Sequence, residues 1–219
     1  MKHLLKILLS IFFAIHLNVA FAQKPIEKPK ETIVEITTNF GVMRARLYNN
    51  TPQHRDNFIS LVKKGFYDSL LFHRVISGFM IQGGDPGSKK ADSASILGSG
   101  EATDLPTVPA EFITNLIHKK GALAAARDNN PEKKSSNCQF YIVQGKKVDS
   151  AQLNPANHYT KDQKEIYQRI GGTPFLDQNY TIFGEVFMGL DVIDKIAALE
   201  IGTADRPKQN VMMKIKIIN

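Results

Sequence analysis

One cation and one amide, Arg74 and Gln82, stand among the apolar side chains of FHRVISGFMIQGGDP, residues 72–86. A guanidinium stays protonated at any physiological pH, so Arg74 offers a fixed cationic donor. Gln82 adds a donor and an acceptor that can hold a polar group or orient the arginine. Strand alternation sets Arg74 on the face of Phe72 and Gln82 on the face of Met80, and it sends His73 to the other face in a structural or rim role. Gly83, Gly84, Asp85 and Pro86 close the stretch as a turn rather than a metal site, because no second carboxylate accompanies Asp85. The stretch is either a polar site on a hydrophobic floor or a buried hairpin.

Other chemistries lack their residues. The sequence has no G-x-S-x-G elbow, P-loop, dinucleotide fingerprint or calcium loop. None of its six histidines, His3, His16, His54, His73, His118 and His158, is paired at ligand spacing. We expect no metal, no cofactor and no covalent intermediate. Cys138 is the single cysteine, which rules out an intramolecular disulfide and reads as a buried apolar thiol.

The elements that must position Arg74 and Gln82 follow from periodicity. TIVEITT and GVMRARLY alternate on either side of Thr38-Asn39-Phe40-Gly41, which predicts an opening hairpin. Thr51 before Pro52 matches an N-cap and first helical position, and Phe58, Leu61 and Val62 give an apolar helix face that ends at Gly65. LLFHRVI, FMIQGG, GALAAAR, QFYIVQG, YTIFGEVF and VMMKIKIIN are six further strand-like runs, and LDVIDKIAAL (190–199) is a second amphipathic helix. Eight strands against two framework helices argue an all-β, closed or nearly closed antiparallel architecture with helices over its open ends. Residues 146–172 interrupt the rhythm as a surface insertion. There Thr160 and Gln163 form a capping box, and Gly171 ends a short helix over about 161–170.

The stretch that opened the reading resembles the signature of cyclophilin-type peptidyl-prolyl cis-trans isomerases, departing only at Ser77. PAEF (109–112), HKKGALAAAR (118–127), SSNCQFYIV (135–143), FLDQNYTIFGEV (175–186) and GLDVIDKI (189–196) follow in that family's order, so the resemblance covers roughly residues 32–218. It implies a closed eight-stranded antiparallel barrel capped by two α-helices, here with a short helical insertion. By the same resemblance Arg74 is the catalytic arginine, and Phe79, Met80, Tyr141 and Leu176 wall a proline pocket. Gln82, Ala126, Arg127, Gln139, Phe175 and Tyr180 then complete the substrate groove, and the partners are proline-containing polypeptides. Four positions depart from common family choices: Tyr141 for phenylalanine, Phe175 for tryptophan, Tyr180 for histidine and Arg127 for asparagine. The hydroxyl of Tyr141 needs a partner or water.

Composition sets the frame. With 219 residues, 42% hydrophobic, the chain can build one domain with a sizeable core. Its first 22 residues read as a secretory signal peptide: Lys2 and Lys6, an apolar run, and Ala20-Phe21-Ala22 before the cut. The run is shorter than the ~20 residues of a spanning helix and is broken by His16 and Asn18. Residues 23–31 form a Pro- and Lys-rich tether, and 32–219 the domain. The net charge of +7, less the two signal-peptide lysines, leaves +5. Lysines are spread along the chain without an aromatic-interleaved arginine cluster, so no nucleic-acid partner is expected. The expectation is a soluble periplasmic monomer that accelerates X-Pro rotation in exported proteins. The alternatives are a proline-peptide binding or chaperone module with little turnover, and an adaptor acting through the insertion.

Overall fold

A computed structural model describes residues 30–92, 95–103 and 105–219. The expected signal peptide and most of the tether lie outside the described residues. The strands are β1 (Thr32–Thr38), β2 (Gly41–Leu47), β3 (Phe72–Ile76), β4 (Met80–Gly83), β5 (Ala122–Ala125), β6 (Phe140–Val143), β7 (Ile182–Met188) and β8 (Met213–Ile217). They form one antiparallel sheet in the order β3-β4-β6-β5-β7-β2-β1-β8. All eight expected strands are present.

The expected closure of the barrel is not: the ladder is an open, curled sheet with β3 and β8 as its end strands. The two meet over a single bridge, Leu71 to Met212, with flanking bonds from Phe72 N to Val211 O and from Met213 N to Leu70 O. The reason is stagger. Continued pairing would set β3 against residues 207–210, where Pro207 has no N–H to give, and β8 against the turn that follows the first helix.

Side chains alternate between two apolar layers. Leu123, Ala125, Phe140, Ile142, Ile81 and Phe183 point inward to the main core. Their neighbours Ala122, Ala124, Tyr141, Val143, Met80 and Ile182 point outward into a second cluster. The main core centres on Phe58, Tyr67, Phe72, Phe140 and Phe183, whose rings pack at 5.0–6.0 Å, mostly tilted or edge-on. Two amphipathic helices complete it: α1 (Pro52–Lys63) buries Phe58, Leu61 and Val62, and α3 (Leu190–Ala197) buries Val192, Ile193, Ile196 and Ala197.

The start of α1 departs from its expected cap. Thr51 precedes Pro52 as anticipated, but its buried hydroxyl has no hydrogen-bond partner among the described residues. Glu111 caps the helix from another segment, accepting from Gln53 N at 3.1 Å and His54 N at 3.0 Å, a carboxylate at the positive end of the helix. The insertion carries α2 (Lys161–Ile170) with the predicted reciprocal capping box of Thr160 and Gln163. Its polar face is exposed, while Tyr167 is fully buried against Ile117 and Leu153.

Candidate active site

The outer layer holds the site. Register aligns Arg74, Gln82, Tyr141, Ala124 and Ile182 side by side across five strands. Ile76, Met80 and Val143 form the next row. Arg74 reaches this face through a bulge: Phe72 pairs with Gly83 and Arg74 with Gln82, so His73 is an extra residue. Phe72 therefore lies in the inner core while Arg74 lies outside, contrary to the expectation that the two share a face. Gln82 and Met80 do share one.

A polar chain of consistent polarity holds the guanidinium. Arg74 Nη1 donates to Gln82 Oε1 at 3.3 Å, Gln82 Nε2 donates to Gln139 Oε1 at 3.1 Å, and Gln139 Nε2 donates to the carbonyls of Gly98 at 3.0 Å and Gly100 at 2.8 Å. The loop bearing those carbonyls is tied to buried Asp85, which accepts from Gly98 N at 2.5 Å, Gly100 N at 3.3 Å and Gly87 N at 2.7 Å. Asp85 thus caps a turn, as expected, and also sets the far end of the chain that leads to Arg74. On its other side Arg74 Nε meets Asp205 Oδ2 at 3.3 Å. Ala204 and Asp205 carry φ of 56° and 58°, a left-handed turn that costs an alanine about 1–2 kcal/mol. The arginine side chain remains 41% exposed, with two of its N–H groups engaged.

The apolar floor beside it comprises Met80, Tyr141, Leu176 and Ala126, all buried, with Phe79 and Tyr180 packed against them. Tyr180 meets Tyr141 edge-on at 6.0 Å, and the Arg127 guanidinium stacks 4.6 Å above the Tyr180 ring. Arg127 is held there by the carbonyls of Asn179 at 3.1 Å and Asp128 at 2.9 Å. Phe175 forms the rim, 67% exposed and 5.5 Å from the Phe79 ring. Arg74, Phe79, Met80, Gln82, Ala126, Arg127, Gln139, Tyr141, Phe175, Leu176 and Tyr180 all fall on this one surface.

Tyr141 turns its hydroxyl away from the surface. It lies 3.0 Å from His118 Nε2, whose Nδ1 is 2.7 Å from Asp177 Oδ1. Oδ1 also accepts from His118 N at 2.8 Å, and Oδ2 accepts from Tyr159 at 2.7 Å and Tyr167 at 2.6 Å. Burial keeps His118 below the ordinary imidazole range despite Asp177, so Nδ1–H donates to the carboxylate and the tyrosine hydroxyl donates to Nε2. The floor presents the ring face that a phenylalanine would, and its support runs through four side chains into the insertion. None of His118, Asp177, Tyr159 and Tyr167 was singled out from sequence. The one available signal was Asp177, which directly follows Phe175 and Leu176.

His73 is buried, with no hydrogen-bond partner on either ring nitrogen among the described residues, at the edge of a cavity of about 570 Å³ that Arg74 and Arg206 also line. Burial pushes its pKa down to about 4, and burial lowers His54 as well. Three imidazoles therefore stay neutral in the fold while the unfolded chain takes up their protons near pH 6.5. Stability is full above about pH 6.5 and falls as pH drops toward 4, with His73 alone accounting for on the order of 3 kcal/mol. Urea unfolding at pH 7.5, 5.5 and 4.5 checks this, and a flat profile would contradict it. Cys138 is buried as expected, its thiol pushed up to about 12 by burial.

Comparison with known proteins agrees with this geometry. Residues 33–217 match the family model for cyclophilin type peptidyl-prolyl cis-trans isomerases. A Staphylococcus aureus (strain COL) relative, named as a peptidyl-prolyl cis-trans isomerase, is 36% identical over 187 residues, 84% of this chain and 90% of that one. In fold, the chain is similar to a Cryptosporidium parvum cyclophilin type isomerase, with a TM-score of 0.67 at 23% identity over 87% of this chain and 99% of that chain. A second crystal structure of that parasite protein, in the presence of the dipeptide Ala-Pro, aligns with a TM-score of 0.65 at 24% identity, covering 85% of this chain and 99% of that one. The chain belongs to the cyclophilin-type peptidyl-prolyl cis-trans isomerase family.

Proposed function

We propose that this protein accelerates X-Pro rotation in exported polypeptides, with Arg74 stabilising the twisted amide. The observation that carries the reading is a half-exposed guanidinium, anchored on both sides, beside a floor of Met80, Tyr141 and Leu176. Rotation must break amide resonance, a barrier of about 18–20 kcal/mol, yet no bond is cleaved. In the twisted state the prolyl nitrogen regains its lone pair, and a donor aimed at it binds that state better than either planar form. The apolar floor clamps the pyrrolidine ring and excludes water, which strengthens the charge interaction. Rotation then swings the carbonyl of the preceding residue while the ring stays seated.

Export to the periplasm, and action there as a monomer, belong to the same proposal. The first rests on Lys2, Lys6, the apolar run and Ala20-Phe21-Ala22. Fractionation with an antibody to the domain tests it. The activity is tested by NMR exchange spectroscopy on a proline peptide, where catalysed cis-trans exchange is expected at low enzyme concentration. Tight peptide binding without catalysed exchange would favour a binding module instead.

Asp205 acts here as a positioning residue. Asp205→Asn preserves the left-handed turn, which asparagine tolerates, but removes the charge that orients Nε. A threefold to tenfold loss in kcat with KM nearly constant is expected, and an unchanged kcat would refute the role.

A further inference from the structure

We infer that the insertion gives this enzyme a second substrate subsite, one that takes an acidic side chain two or three residues after the proline. The inference rests on the isomerase reading above. A groove of about 480 Å³ runs between Gly78, the first residues of the insertion and the segment Gly172–Phe175. Its volume is that of a side-chain or small-ligand site.

Its position along the hairpin gives the direction of the substrate. On β4, Gln82 stands beside Arg74 and Met80 underlies the proline pocket, while Gly78 lies two residues further on in the turn. Arg74 must face the prolyl nitrogen, so the residue before proline lies at the Arg74 end. The chain after proline therefore leaves toward Gly78. Two strand residues span about 7 Å, which an extended substrate covers in two residues. Phe175 joins the two sites, since it rims the proline pocket against Phe79 and also lines the groove.

The groove's charge names the occupant. Lys146 and Lys147 line it and are exposed, Gln152 and Asn154 add amides, and among the described residues no carboxylate lines it. Thr173, at the same wall, keeps a buried hydroxyl with no partner among the described residues. Lys146 is anchored through its backbone. Its backbone is bonded to Gly172 across the neck of the insertion, with Gly172 N donating to Lys146 O at 2.9 Å. Its stem crosses Gly78 so closely that a Cβ there would sit 2.1 Å from Lys146 Cε. The turn is pinned in its turn by Gln144, which accepts from Gly78 N at 2.6 Å.

The test is NMR exchange on matched peptides carrying two glutamates, two lysines or two neutral residues at the second and third positions after proline, and the same sets before proline. The expected result is a threefold to tenfold higher kcat/KM for glutamate over lysine downstream of the proline only, lost in high salt and inverted in the Lys146→Glu, Lys147→Glu double variant. Turnover of the neutral peptide with no downstream charge preference, or with an equal upstream one, would overturn the subsite and leave the isomerase reading intact. No turnover of the neutral peptide by the wild type would overturn both.

Discussion

Arg74→Ala is expected to lower kcat/KM for a proline peptide by about 10²- to 10³-fold, the range seen when a single preorganised donor to a developing charge is removed. The loss should fall on kcat, because the donor is needed at the twisted amide while the ring is still bound by Met80, Leu176 and Tyr141. The fold should survive. The side chain is 41% exposed and its partners Gln82 and Asp205 reach the surface, so the unfolding free energy should change by less than about 1 kcal/mol. Arg74→Lys is expected to recover little, since an ammonium cannot hold Gln82 and Asp205 in a planar fork while presenting a further donor. Exchange spectroscopy on the three proteins reads the result directly. Wild-type rates in Arg74→Ala would mean that the apolar floor alone catalyses rotation, or that another group supplies the charge.

Asp177→Ala should be the most destabilising single change at the site, by about 3–5 kcal/mol. The carboxylate is 1% exposed and accepts from His118 N, His118 Nδ1, Tyr159 and Tyr167. Truncation leaves three buried donors without their acceptor, while the part-buried Tyr159 hydroxyl keeps Pro174 O at 3.2 Å, and the summed cost exceeds the worth of any one bond. It should also loosen the insertion, because both tyrosines belong to it. Urea unfolding measures the first effect, and hydrogen exchange of the amides in residues 146–172 measures the second. A loss below about 1 kcal/mol would show that the three buried donors find other partners. The double change Tyr159→Phe, Tyr167→Phe removes two of the donors and should cost less than Asp177→Ala.

How much of this was legible in the sequence depends on the distance over which each feature is specified. β1 was read as Thr32–Thr38 and the insertion helix as 161–170 because alternation and capping are local rules. The bulge at His73 was not legible, because it is defined by counting residues against a partner strand. Reading β3 as uniform alternation put Phe72 on the wrong face. Arg74 and Asp205 are separated by 131 residues, and His118 and Asp177 by 59, so no spacing rule could pair them. The open sheet follows from the stagger of β3 and β8, which depends on how far each runs past the other. The family resemblance named eleven candidate residues that fall on one surface, but of the groove it reached only Gly78 and Phe175, because Lys146, Lys147, Gln152 and Asn154 belong to the insertion.

The sheet is also a partition. Every second residue of β5 and its continuation, Ala122, Ala124 and Ala126, faces the outer layer, whereas Leu123 and Ala125 between them face the core. Alanine thus keeps the outer layer thin along β5, beneath the surface that carries the candidate site. A methyl added at Ala122 or Ala124, 1% and 0% exposed, would overpack the outer layer just as one at Ala125 would overpack the core, whereas one at Ala126 would narrow the candidate site. Only Ala126, 9% exposed, offers an outer position where side-chain size could change the fit of a ring, so a library over all the alanines would draw on foldability as well as on fit.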